Sequence, residues 1–119
     1  MNKFISFNTR NDLYRVAIDR IVFFSSDKNY TTVQLSNGKT LVFTLSLQKM
    51  QDYLVESLGE DARTFARVGK SYIVNLSYIY HIDHTKHKLV LYTDSPSTEY
   101  SLTLSVDALR NLHNLMVRK

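Results

Sequence analysis

Three stretches of the chain hold residue types and spacings that could do chemistry. The first, "VGKS" at Val68 to Ser71, ends in the Gly-Lys-Ser lettering of a phosphate-binding P-loop. Such a loop wraps backbone N–H groups around phosphates and needs another glycine five residues earlier. Thr64 stands there, Phe65 to Val68 read as strand, and "SYIVN" is β-branched and aromatic where a P-loop would open a helix. The nucleotide reading fails on both sequence and context. The second stretch carries His81, His84 and His87 at every third residue, a spacing that would gather imidazoles around a metal in a helix. On a hairpin the side chains alternate faces and the turn scatters the rest, so a solvated tip is the expected state. The third sets Ser77, His81 and Asp83 close together on an extended segment, where they cannot converge, and no Gly-x-Ser-x-Gly elbow accompanies them. The pair Glu60-Asp61 reads as solvated loop charge after a helix. Neither a catalytic centre nor a cofactor is expected.

What remains is a set of polar tips between apolar segments. One tip carries Lys28, Asn29 and Tyr30. A second carries Arg67, Gly69, Lys70 and Ser71, where the glycine lets backbone approach a partner closely. The third is the start of the last helix, with Ser105 as its cap and Asp107 in its first turn. Together they offer cations, an amide, a phenol and a helix N-terminus, groups suited to phosphate contact and to reading base edges. Each also has a plainer reading: an exposed lysine, a half-buried tyrosine at a strand edge, a serine that only caps.

The elements that must position these tips follow from periodicity. "KFISFNT" and "RNDLYRVA" read as two strands about a turn, and "IDRIVFFSS" is continuously apolar around Ile21 to Phe24, as a buried strand requires. "YTTVQLS" alternates by twos and stops at Asn37-Gly38, a favoured two-residue hairpin turn, with "KTLVFT" as partner. The period then changes: Leu47, Met50, Leu54 and Leu58 form one helical stripe, capped by Ser46 and closed by Gly59. "TFARV" and "SYIVNLSYI" return to extended character. "YHIDHTKHKLVLYT" reads as a hairpin with its tip at His84 to His87, and "TEYSLTLS" as one more strand. The end, "SVDALRNLHNLMVRK", reads as a helix with Val106, Leu109 and Leu112 on one face.

Bulk properties bound the answer. The 119 residues suit a single domain spanning 1–119, and 44% hydrophobic content with one proline suits an ordered globule. There is no cysteine, which excludes disulfides, thiolate metal sites and cysteine nucleophiles. No apolar run is long enough for a signal peptide or a membrane span, so the Asn29 and Asn75 glycosylation patterns read as chance and the expected location is the cytoplasm. The net charge of +4 favours approach to nucleic acid through counterion release, although no run of five like charges occurs.

Taken in order, these segments resemble the LytTR family, a mostly β DNA-binding output domain of bacterial response regulators. The likeness runs from about Ile18 to Leu115. "IDRIVFFSSDKNYTTVQLSNGKTLVFTLSLQKMQDYL" is similar to the family's opening strand, polar loop, hairpin and helix. "FARVGKSYIVN" resembles its signature Phe-x-Arg-[Ile/Val]-His-[Arg/Lys/Asn]-Ser-[Phe/Tyr]-[Ile/Leu]-Val-Asn. The resemblance implies a mainly β fold with two or three short helices, in an elongated arrangement of small antiparallel sheets. It further implies that inter-strand loops enter successive major grooves of double-stranded DNA, and that pairs of molecules bind repeated promoter elements and bend them. The contact positions it implies are Asn29 or Tyr30, Gly69, Lys70 and Asp107. Two of these depart from the pattern: Gly69 replaces the usual histidine, and Asp107 stands where some members carry a basic residue. No receiver domain lies within the 119 residues, so the chain is expected to be the output part of a longer regulator or to act alone. A second reading, from a different class, is a protein-interaction module that kept the fold and lost DNA contact.

Overall fold

The computed structural model describes residues 3–94 and 97–117. Among them the chain forms β1 (Phe4–Asn8), β2 (Leu13–Ala17), β3 (Ile21–Asp27), β4 (Tyr30–Leu35) and β5 (Thr40–Phe43), then helix α1 (Leu47–Leu58). After α1 come β6 (Phe65–Val68), β7 (Tyr72–Asn75), β8 (Ile79–Asp83), β9 (Lys88–Asp94), β10 (Ser97–Thr103) and helix α2 (Val106–Val117). Short 3-10 turns at Ile18–Arg20, Gly59–Thr64 and Leu76–Tyr78 link some of them.

All strand pairs are antiparallel. They build a five-stranded sheet in the order β5-β4-β3-β7-β6, a three-stranded sheet β10-β9-β8 and the hairpin β1-β2. The five-stranded sheet is central because two of its inner strands, β3 and β7, are apolar on both faces. Ile21, Phe24, Val33 and Ile73 face one core with Ile5 and Phe7 of the hairpin and Leu47, Met50 and Leu54 of α1. Val22, Val68 and Val74 face a second core with Leu89, Leu91 and Leu102 of the small sheet and Ala108, Leu109 and Leu112 of α2. The continuous apolar run at the start of β3 is thus a strand covered on both sides. A bulge between Ile21 and Phe23 lets Val22 and Phe23 both turn to the second core while Ile21 and Phe24 serve the first.

Both helices start where their caps direct. Ser46 Oγ accepts from the Lys49 N–H at 3.1 Å, and Ser105 Oγ accepts from the Ala108 N–H at 3.1 Å. Gly59 closes α1 at φ 57°, a left-handed conformation that glycine adopts without steric cost. Two expectations need correction. The buried stripe of α2 is Ala108, Leu109 and Leu112, while Val106 is 45% exposed, because the helical turn places it at the margin of the arc that those three share. The β4–β5 connection is four residues long, 36–39: the Leu35 N–H donates to the Lys39 carbonyl at 2.9 Å, with Gly38 at φ 91°. Asn37 contributes its side chain, which accepts from the Lys39 N–H at 3.0 Å.

Candidate nucleic-acid interface

Antiparallel pairing decides which tips meet. Ser25 pairs with Tyr72 across β3 and β7, and the Ser26 N–H donates to the Ser71 carbonyl at 2.9 Å. The β3–β4 turn at Lys28-Asn29 and the β6–β7 turn at Gly69-Lys70-Ser71 therefore emerge from the same end of the central sheet. Helix α2 begins beside them: a Cβ built on Gly69 would stand 3.7 Å from Ala108 Cβ. A groove of about 280 Å³ lies between Gly69-Lys70-Ser71 and Thr103-Leu104-Ser105. Three segments far apart in sequence thus share one surface.

The residues on it differ in what they can offer. Lys28, Asn29, Gly69, Lys70, Ser71 and Asp107 are exposed, and Tyr30 is 49% exposed at the start of β4. Lys28 sits at φ 56°, a conformation that L side chains rarely adopt, so the first turn holds its ammonium at a sharply bent tip. Gly69 sits at φ 65° and bends the second turn so that Lys70 lies at its apex. Neither lysine has an ion-pair partner among the described residues. Asp107 projects into solvent with its carboxylate 3.6 Å from Arg110 Nη1, which leaves the helix start less electropositive than its dipole alone would make it.

Two expected contacts are engaged within the protein. Ser105 spends its hydroxyl on the cap of α2. Arg67 points to α1: its Nη1 donates to Gln51 Oε1 at 2.9 Å and reaches Gln48 Oε1 at 3.4 Å, while Nη2 donates to the Lys70 carbonyl at 3.1 Å. One cation was missed. Lys88, at the start of β9, donates from Nζ to Oγ1 of Thr103, a residue lining the 280 Å³ groove, at 2.8 Å. Only the pairing of Lys88 with Thr103 across β9 and β10 reveals that placement, and no local motif signals it.

The histidines meet a different partner from the one their spacing suggests. His84 Nε2 lies 2.8 Å from Nδ1 of His113 on α2, and the rings are 5.0 Å apart, so the β8–β9 tip is clasped to the helix. No group of three or more His, Cys, Asp or Glu side chains is placed to hold a metal among the described residues. No described helix is long and apolar enough to cross a membrane.

Comparison with known proteins agrees with this architecture. The family model described as the LytTr DNA-binding domain matches residues 11–116. A solved structure, the LytTr DNA-binding domain of a protein described as a methyl-accepting/DNA response regulator from Bacillus cereus, superimposes with a TM-score of 0.66. It is 22% identical, and the match covers 97% of each chain. No curated protein matches the sequence. With the family model spanning nearly the whole chain, this protein belongs to the LytTR family of DNA-binding domains.

Proposed function

We propose that the chain is a single output domain that binds double-stranded DNA sequence-specifically through the end of its central sheet, and so regulates transcription. The observation that carries this reading is the convergence of the Lys28-Asn29 turn, the Gly69-Lys70-Ser71 turn and the start of α2 on one surface. Lys28 and Lys70 neutralise phosphates or reach guanine edges in the major groove, Asn29 and Tyr30 read adjacent edges, and Lys88 supports Thr103 of the groove. Binding as a pair to repeated promoter elements, and control by a phosphorylated receiver domain in a longer chain, complete the proposal.

Selection of bound duplexes from a random pool, at low and near-physiological salt, tests it. Enrichment of a short repeated element supports the regulator reading. Lys70→Ala should weaken binding to that element by about 1–3 kcal/mol if it meets a base, and relax the sequence preference at one position. If Lys70 meets phosphate, the loss should be uniform across sequences and the salt slope shallower by about one contact. Undiminished binding by Lys70→Ala would remove this residue from the interface. The exposed carboxylate of Asp107 favours one other reading, a protein-interaction module. Failure of the parent chain to bind any duplex at low salt would select it.

A further inference from the structure

We propose that Arg67 is a positioning residue, a clasp by which α1 sets the β6–β7 turn that presents Lys70. The inference deepens the proposed function and rests on it for the DNA readout only. Phe65 and Arg67 share one face of β6, the face toward α1, while Ala66 and Val68 turn to the α2 side. Gln48 and Gln51, one turn apart on α1, both present amide oxygens to Nη1, at 3.4 and 2.9 Å. The other arm of the guanidinium closes on the Lys70 carbonyl at 3.1 Å. Its Nε is shut off from solvent with no partner. An arginine that grips a phosphate does so with two parallel N–H groups of its fork. Here one terminal nitrogen is committed to α1, the other to the turn, and the third is inaccessible. Arg67 is thus turned inward, and its rigid planar fork carries the position of α1 to the residue preceding Ser71.

Lysine cannot reproduce this, because a single ammonium cannot hold two directions at fixed geometry. Loss of either glutamine partner should act on Lys70 without touching DNA. The experiment compares Arg67→Lys, Gln51→Ala and the parent in two assays. The first is amide hydrogen exchange of Gly69, Lys70 and Ser71 without DNA. The second is affinity for the selected duplex across a salt series. Thermal unfolding identifies any variant that has lost its fold. We expect exchange in the turn to quicken in both variants. Affinity should fall on the order of tenfold, as for loss of a charged hydrogen bond, with the salt slope of the parent. The proposal is overturned if Gln51→Ala leaves turn exchange unchanged. It is also overturned if Arg67→Ala, added as a third variant, lowers the salt slope by about 0.9, the signature of one lost phosphate contact. Should the parent bind no duplex, the proposed function fails, while the exchange assay still decides whether the clasp exists.

Discussion

Gly69 has room for a side chain but not the backbone angle for one. A Cβ there would meet Ala108 Cβ at 3.7 Å, an ordinary contact, so φ 65° and not a clash sets the cost of substitution. Gly69→Ala should therefore destabilise the fold by about 1–2 kcal/mol in urea unfolding, and Gly69→Asn by less, since asparagine tolerates the left-handed region. Asp83 shows the opposite case, a side chain that organises its turn through hydrogen bonds to Thr85 and Lys86. The Thr85 hydroxyl at 2.7 Å, then the Lys86 N–H at 3.1 Å, hold its carboxyl below the usual carboxylate range. Because the folded value is lowered, this turn gains its full support above the ordinary carboxylate range and loses it as pH falls through the lowered value. Thr85→Val should raise the Asp83 titration midpoint toward its ordinary position, followed by NMR of the carboxyl carbon. Arg67 marks where residue-level reading of the sequence stops. Its type and its neighbours Gly69 and Lys70 suggest a DNA contact, but its direction depends on α1, whose docking no local pattern encodes. The exposure of Lys28 and Lys70, in contrast, was legible because turn tips are exposed whatever the tertiary packing.

The strands and helices were readable wherever period and punctuation agreed. The α1 stripe, both serine caps and the β8–β9 tip lie where the sequence places them. The α2 face shifted, since an amphipathic pattern gives a stripe but the neighbouring sheet decides which residues at its margin are covered. The Asn37-Gly38 connection lengthened to 36–39 because the side chain of Asn37 and the φ of Gly38 close the longer loop equally well. Asn75 has an element-scale role that the motif alone does not reveal. It is buried at the end of β7, donates to the Ile21 carbonyl at 2.8 Å and accepts from the Ser77 N–H at 2.9 Å. It thereby ties β7 to the first residue of β3 at the bulge and starts the turn into β8. Asn75→Ala leaves a buried carbonyl and an N–H without these partners, and should cost about 1–3 kcal/mol in denaturant unfolding. A value near zero would mean that water replaces both bonds.

At the scale of the molecule, one sheet serves two cores, with the adjacent residues Ile73 and Val74 of β7 each facing a different one. Damage to either core should then reach the other through the shared strands. Leu54→Ala beneath α1 and Leu109→Ala beneath α2 should each cost about 2–5 kcal/mol. Each should also leave a single unfolding transition that coincides by far-ultraviolet circular dichroism and tyrosine fluorescence. Separate transitions would show that the cores melt independently. The order of strands in that sheet also fixes a ruler. Between the β3–β4 turn and the β6–β7 turn lie two strand spacings, about 10 Å in all. The major groove of B-form DNA is about 12 Å wide, whereas its next opening on the same side lies about 34 Å along the axis. Under the proposed function, the two lysine-bearing tips would fit side by side in one groove opening, so entry into a successive groove, as the resemblance implies, would fall to a loop elsewhere on the molecule. The molecule's longest dimension is 44 Å, so a contact one helical turn away must come from its other end or from a second copy. The spacing between repeats in a selected element would then report the reach to the far end of one domain or the step to a second copy, and not the distance between the two lysine-bearing tips.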